Sequence, residues 1–543
     1  MGGKRKILIL FAGIGIIAFT AFITALMRLQ NYNTTQVQVQ VQGQADSVSG
    51  GSSTLNAKVT VGSPIATIPT SDFGINTAVW DWNLLSQSTE KLVKQAGIHM
   101  FRYPGGSTAD LYHWQTNSIE PSSGITAAPK DAFTHFIQYV RKSQSQALIT
   151  VNYGTGTPQE AAAWVKYAEV THHYDVQYWE IGNEVYGNGT YGTKWEADSH
   201  AHIGPQAYAD NALKYIKAMK QVDPAAKIGV DLIAPGQWPS NQQPNWNRTV
   251  LSTVGKSIDF VDVHWYPQQP GRVSDKGLLN STKTIPNMMS QLRGLIRQYC
   301  GQNANNVKVL IGETNSVAKN PGKQTTSIVN ALFLVNDLMT WLQQGAVNID
   351  WWDLHNSENQ AGNPPAATLQ SQLYGSRNYG DYGILSAGRP SGPPSGSQSG
   401  SQSGSQSGSQ SSSQSSLKSG SQRAATEPPL NTPFPTYYAM KLLSRLGKPG
   451  DTMLHVQVQG GNSAVSAYAV QRKGGTVGVL LVNRDRQHVL RVHVSIPHFH
   501  PFPITRTYSY GPKHESKITS GFGLSSVTVP PYSMKLLVLR KWW

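Results

Sequence analysis

A chain of 543 residues exceeds one ordinary domain and points to two or three, with a core large enough to be stable on its own. Its net charge of +15 suits an anionic polysaccharide or a membrane surface, but Lys and Arg are scattered rather than gathered into a stripe, which argues against nucleic acid. The single cysteine, Cys300, excludes an intrachain disulfide and any cysteine-cluster metal site.

Lys4, Arg5 and Lys6 precede an uncharged, mostly apolar run, Ile7 to Met27, which as a helix would be roughly 30 Å long and match a bilayer core. The basic cluster in front favours a cytoplasmic N-terminus and an exported remainder. No Ala-x-Ala-like site follows, so residues 1–28 read as an uncleaved anchor in preference to a cleaved signal peptide. Residues 29–54 are rich in Gln, Ser, Gly and Thr with alternating Val, a composition with no core to offer, and read as a linker. Alternation at Lys58-Val59-Thr60-Val61, then Gly62 and Pro64, predicts edge strands of a β-layer within residues 55–71.

From Asp72 the period changes. Short apolar strands alternate with longer helical stretches, as expected of βα units on a parallel sheet. The strands fall at Phe73 to Asn76, Met100 to Tyr103, Leu148 to Tyr153, Val176 to Gly182, Lys227 to Leu232, Phe260 to His264, Val307 to Gly312 and Asn348 to Leu354. Helical stripes lie between them, at Gln159 to Val170 and Tyr208 to Gln221 among others. Eight such units predict a (β/α)8 TIM barrel over residues 72–449, whose active site lies at the carboxyl ends of the strands. A Ser/Gly/Gln-rich insertion, residues 388–430, interrupts the last unit before its helix resumes at Tyr437. Short alternating strands over residues 450–543 predict a C-terminal β-sandwich, completed by the strands before residue 72.

Two of the strands end in carboxylates. Tyr178-Trp-Glu-Ile-Gly-Asn-Glu-Val-Tyr delivers Asn183 and Glu184, and Val307-Lys-Val-Leu-Ile-Gly-Glu-Thr-Asn-Ser delivers Glu313. Two carboxylates facing each other across a barrel mouth are what glycosidic cleavage needs: one ionised to attack the anomeric carbon, one protonated, with a raised pKa, to release the leaving oxygen. Glu180 shares the parity of Glu184 but lies roughly 13 Å deeper, as a buried structural partner. Glu120, Glu169 and Glu358 have no motif around them and are expected in solvent. The histidines 172, 173, 200 and 202 lack metal spacing, so neither a metal nor another cofactor is required.

Phe101-Arg-Tyr-Pro-Gly-Gly-Ser, Val151-Asn-Tyr-Gly-Thr-Gly-Thr-Pro-Gln-Glu-Ala and the Tyr178 stretch resemble the second, third and fourth strand motifs of α-L-arabinofuranosidases, members of a clan of retaining (β/α)8 glycoside hydrolases. The resemblance implies that Glu184 is the acid/base and Glu313 the nucleophile. It also implies that His264 and Tyr266, in Val-His-Trp-Tyr-Pro, sit beside the nucleophile, with the Tyr266 hydroxyl free to donate to Glu313. Arg102 is a fixed cation of the kind that keeps a nearby carboxylate ionised. Asn183, Asn76 and Asn152 are placed to hydrogen-bond sugar hydroxyls. Trp351 and Trp352 offer an apolar face for a sugar ring, although strand parity lets only one point inward. The sequence departs from that family where Thr314-Asn315 follows Glu313 in place of the usual Trp, and in the rim insertion.

The expectation is therefore a membrane-anchored, extracellular retaining glycosidase of arabinofuranosidase type acting on polysaccharide or oligosaccharide. A β-xylosidase or endo-β-glucanase uses the same two carboxylates, and a surface carbohydrate-binding protein without turnover is the rival of another class.

Overall fold

Eight short strands close into a parallel barrel in the computed structural model, which describes residues 54–237, 245–356, 380–388, 427–499, 505–523 and 526–541. Around the ring they follow the sequence: Phe73–Asn76, Met100–Tyr103, Gln146–Val151, Tyr178–Ile181, Ile228–Ile233, Phe260–Trp265, Lys308–Thr314 and Asn348–Trp351. Apart from Gln146 and Lys308, every residue of these strands is buried. That is why they read as near-continuous apolar runs: helices cover the outside of the ring and side chains fill the inside.

The outer helices begin and end where local chemistry dictates. Gln87–Ala96 starts at Ser86, whose hydroxyl accepts from the Thr89 amide, and stops at Gly97 in the left-handed region. The expected helix at Gln159 runs over Pro158–Val165 and continues as wider turns through Thr171, and the next spans Pro205–Val222. Pro435–Leu446 is the eighth barrel helix, packed between Ile328–Gln343 and Gln87–Ala96. The chain between Gly388 and Glu427 therefore belongs to the last strand-to-helix connection, as expected of the insertion.

All but Thr340 and Gln343 of the helix Ile328–Gln343 is buried, because the barrel lies on one side and the C-terminal strands on the other. Tyr468 of that sheet donates to Asn336 Oδ1 at 2.9 Å. The expected C-terminal β-rich domain is present, its strands hydrogen-bonded in one continuous nine-stranded order. That order is Thr519–Gly523, Thr505–Tyr510, Ser533–Leu539, Val477–Asn483, Val465–Gln471, Thr452–Gly460, Thr54–Thr67, Val489–Ser495 and Ser526–Val529. One face gathers Val59, Val61, Val479, Leu481, Val492, Val529 and Leu537 into its own core, while Val470, Leu480, Val482, Met534 and Leu536 join the barrel core.

The predicted edge strands before residue 72 need correction. They form one strand, Thr54–Thr67, inside the sheet, antiparallel to Thr452–Gly460 and parallel to Val489–Ser495. Gly62 and Pro64 do not push it to an edge because the register shifts around Pro64 absorb them as a bulge. The apolar run Ile7 to Met27, the linker up to residue 53, Glu358 and residues 389–426 of the insertion lie outside the described residues. Among the described residues no helix is long and apolar enough to cross a membrane.

Candidate active site

Glu184 and Glu313 meet at the carboxyl-terminal mouth of the barrel. Glu313 stands on the seventh strand opposite His264 of the sixth, beyond a register shift that follows Leu310. Gly312 makes that shift possible: its amide donates to Asp262 Oδ1 at 2.6 Å, and a Cβ there would collide with the same carboxylate. Glu184 follows the fourth strand in the left-handed region, with φ of 43°, and opens the short turn Val185–Gly187. Gly182, also at positive φ, lets the chain bend between Val185 and Tyr153, where a Cβ has no room.

Five groups orient the two carboxylates: Arg102 and Tyr266 hold Glu313, and His264, Trp195 and Tyr186 hold Glu184. Arg102 is fully buried and donates from Nη1 to Glu313 Oε1 at 2.9 Å, from Nη1 to Asn76 Oδ1 at 3.0 Å, from Nη2 to Asn183 Oδ1 at 2.7 Å and from Nε to Glu180 Oε2 at 2.9 Å. Burial opposes its charge, but Glu180, Glu313 and Asp262 outweigh this and raise its pKa. Tyr266 donates to Glu313 Oε2 at 2.7 Å, and burial together with that carboxylate keeps the phenol protonated. His264 places Nδ1 3.1 Å from Glu184 Oε1 and 3.6 Å from Glu313 Oε2, and Nε2 3.5 Å from Asp262 Oδ2. Burial lowers its pKa, while Glu313, Asp262 and Glu184 outweigh this and raise it above the usual imidazole range.

The expected raised pKa of Glu184 is not found. Burial alone would raise it, but hydrogen bonds from His264, Trp195 Nε1 at 2.7 Å and Tyr186 Oη at 3.0 Å outweigh burial and hold it below the ordinary carboxylate range. His264 Nδ1 and Glu184 Oε1 share a hydrogen bond at 3.1 Å, so a proton can pass between them.

The amides of Asn76, Asn152 and Asn183 are all engaged within the protein, that of Asn183 by Arg102 Nη2 and Glu196 Oε1. Asn76 is fully buried and spans Arg102 and the Gly312 carbonyl, which receives its Nδ2 at 2.7 Å. Asn152 caps its own loop, accepting from the Thr155 and Gly156 amides and donating to the Tyr112 carbonyl. Trp351 is also corrected: it is fully buried beneath the outer helix, 6.0 Å from the Phe333 ring. Trp352 takes the inward position, lying over Gly106, where a Cβ would come within 2.7 Å of its ring and 3.5 Å of Glu313 Oε1. Glu180 is the expected buried partner, held by Arg102 and Thr150. Glu169 is half-buried and accepts from the Val176 amide, and Glu120 pairs with His113 at 3.0 Å, so neither is simply solvated.

Trp195, Tyr186 and Glu196 were not anticipated. All three belong to the loop after the fourth strand, where no periodicity marks them. Their one signal is proximity in sequence to the Asn183-Glu184 pair.

Glu184, His264 and Glu313 offer ligand atoms within 4.8 Å of one another, as do Glu180, Asp262 and His264. Arg102 also reaches a carboxylate of each cluster, Glu313 in one and Glu180 in the other.

The family model Cellulase (glycosyl hydrolase family 5) matches residues 63–358. Probable alpha-L-arabinofuranosidase C of Aspergillus fumigatus is 28% identical over 217 residues, covering 34% of this chain and 41% of the relative. An intracellular exo-alpha-(1->5)-L-arabinofuranosidase of Bifidobacterium longum is 27% identical over 276 residues, covering 43% of this chain and 46% of the relative. The chain thus matches less than half the length of these curated relatives. The alpha-L-arabinofuranosidase of Thermotoga maritima, solved with arabinose, superposes with a TM-score of 0.63 at 17% identity, covering 89% of this chain and 99% of that one. A family 44 xyloglucanase of Paenibacillus polymyxa does so at 0.59 and 13%, covering 90% and 100%. At such identities the likeness to solved structures shows the fold alone.

Proposed function

The chain belongs to the Cellulase family (glycosyl hydrolase family 5), and on that premise we propose that it is a retaining glycosidase releasing α-L-arabinofuranosyl or similar pentosyl groups from polysaccharide. The observation that carries the reaction type is the convergence of the pair on one imidazole nitrogen: His264 Nδ1 lies 3.1 Å from Glu184 Oε1 and 3.6 Å from Glu313 Oε2. Retaining enzymes bring two carboxyl groups close together at the scissile bond in this way, without the wider gap in which inverting enzymes admit a water.

Glu313, aimed by Arg102 and Tyr266, attacks the anomeric carbon, and the glycosidic oxygen leaves with a proton from Glu184. In the second step Glu184 removes a proton from water, which displaces Glu313 and regenerates the pair.

The arabinofuranosyl choice is supported by the three strand motifs and by the names of the curated relatives. An endo-β-glucanase is favoured by the description of the matching family model. A non-catalytic carbohydrate-binding protein has no use for two carboxylates so spaced and so supported. Hydrolysis of a panel of nitrophenyl glycosides, with the first-formed anomer followed by NMR, decides among them. The α-L-arabinofuranoside should turn over fastest with retained configuration. An inverted first product would overturn double displacement, and preference for cello-oligosaccharides would move the sugar assignment.

We further place the catalytic domain outside the cell on an N-terminal anchor, a reading supported by Lys4, Arg5 and Lys6 ahead of the apolar Ile7 to Met27. The protein should stay with membranes through a high-salt wash. A soluble mature chain starting between residues 28 and 54 would overturn this.

A further inference from the structure

The acid of a glycosidase gives its proton to the glycosidic oxygen, so the part of the substrate that leaves extends past that acid. Exposure rises step by step along one line of contacts that starts at Glu184. The Glu184 side chain is 19% exposed, and Trp195, which donates to its Oε2, is half-buried. Lys319, whose Nζ stands 5.4 Å from the centre of the Trp195 ring, is exposed. These contacts trace a path from the acid/base to solvent.

Both partners of the Trp195–Lys319 contact are set by their own backbones. The Trp195 amide donates to the Gly187 carbonyl at 2.9 Å, and its ring lies so close to Gly187 that a Cβ there would come within 2.3 Å. Lys319 belongs to the connection 315–327 after the seventh strand. Just ahead of it the Ala318 amide donates to the Gln268 carbonyl at 3.1 Å, and the Val317 carbonyl accepts from Tyr382 Oη at 2.9 Å. An indole face attracts an ammonium through its quadrupole but does not neutralise it, so the charge of Lys319 remains for an anion.

The neighbouring rim has one sign. The connections 266–274 and 315–327 carry Arg272, Lys319 and Lys323, and no Asp or Glu. Among the described residues none of these three cations has a carboxylate partner. Asp275, which opens the helix after the first of these connections, accepts from Gln324 Nε2 at 2.7 Å. Lys194, exposed beside Trp195, adds a further cation. A rim of one sign concentrates ligands of the opposite charge.

We propose that Lys319 is a specificity-determining residue that pairs with the carboxylate of an acidic sugar on the leaving side of the scissile bond, so that the substrate is a uronate-bearing polysaccharide. This rests on the glycosidase reading above, with Glu184 as its acid/base, and extends it to the sugar next to the one released. An ammonium on a flexible stem suits that task, because it reaches a carboxylate without demanding a single geometry.

The test uses oligosaccharides that carry a uronic acid next to the released sugar, and the same oligosaccharides after reduction of the carboxyl to a primary alcohol. Its readout is kcat/KM on the acidic substrate divided by kcat/KM on the reduced one, so any effect that Lys319 exerts on Glu184 through Trp195 cancels. Wild type should prefer the acidic substrate. That ratio should fall about fivefold in K319Q and about 25-fold in K319E, and K319R should keep it within about twofold. The wild-type ratio should also shrink towards that of K319Q as salt is raised to about 0.5 M.

A wild-type ratio equal to that of K319Q would overturn the proposal. Equal losses on the two substrates in K319Q would do so as well, and would make Lys319 a prop for the Trp195 ring. In both cases wild-type turnover leaves the glycosidase reading standing. Wild-type protein inert on all glycosides and oligosaccharides would instead overturn that reading, and this inference with it.

Discussion

In the proposed double displacement the two carboxylates act in different steps, and single substitutions separate them. Glu313→Ala removes the attacking group, so activity should fall by several orders of magnitude on every substrate. Glu184→Ala should still be glycosylated by nitrophenyl substrates, whose leaving group needs no proton, while natural linkages are barely cut. Its glycosyl-enzyme should accumulate and be released by added azide, which attacks without deprotonation. Azide rescue of neither variant, or of Glu180→Ala instead, would remove Glu184 from its role. Tyr266→Phe deletes a 2.7 Å hydrogen bond to the nucleophile and should lower kcat by about 10- to 100-fold with little change in KM. An unchanged kcat would make Tyr266 a packing residue. At this scale the sequence revealed residue type and position but not the partner. Arg102, Tyr266 and Glu180 have the neighbours expected of them, because strand ends in a barrel converge whatever the loops do. Asn76 and Asn152 stand at the expected positions with their amides already used, by Arg102 and the Gly312 carbonyl in one case and by the loop 152–156 in the other. Trp195 meets Glu184 only because its loop turns back on Gly187.

The helix Ile328–Gln343 carries the clearest pH signature among the elements. Asp337 is fully buried on it, with Oδ2 accepting from Thr314 of the seventh strand at 2.8 Å. Burial pushes its pKa up to about 8, against the lowering effect of the hydrogen bond from Thr314. A folded pKa above the unfolded one means that the folded state holds the proton more tightly. The resulting stability is fully present below about pH 4 and declines by about 1.4 kcal/mol per pH unit until pH passes the folded value of about 8. Asp337→Asn removes this titration and keeps an acceptor for Thr314, so its melting temperature should fall less than that of wild type between pH 6 and 8. Parallel melting curves for the two proteins would show that Asp337 is ionised in the fold. Elements themselves were well marked in the sequence where burial is two-sided, as in the eight barrel strands. Thr519–Gly523 carries no strand signal in the sequence, because none of its residues is buried and no apolar face marks it. The place of Thr54–Thr67 inside the sheet was invisible because its partner, Thr452–Gly460, lies some four hundred residues away and nothing local encodes that pairing.

On the scale of the whole molecule, the barrel closes independently of the Ser/Gly/Gln insertion. The two ends of the connection are clamped together where they leave the barrel. Leu385 bridges to Pro433, the Ser386 amide donates to the Thr432 carbonyl at 3.0 Å, and the Asn431 amide donates to the Ser386 carbonyl at 2.8 Å. Ser386 Oγ and the Ala387 amide both donate to Glu427 Oε1, at 2.6 and 3.1 Å. Deleting residues 391–422 leaves every one of these contacts in place and removes no residue of the catalytic arrangement. It shortens the connection between Gly388 and Glu427 roughly sixfold, which lowers the entropic cost of closing it by about 1.6 kcal/mol. For a chain of this size that amounts to a rise in melting temperature of about 1–2 °C at most. The deletion protein should therefore melt at or slightly above the wild-type temperature and cleave a nitrophenyl glycoside with unchanged kcat. A fall of several degrees would mean that the repeat packs on the barrel rim. Unchanged melting with a loss confined to polymeric substrate would instead give the insertion a part in holding the polysaccharide at the mouth where Glu184 and Glu313 stand.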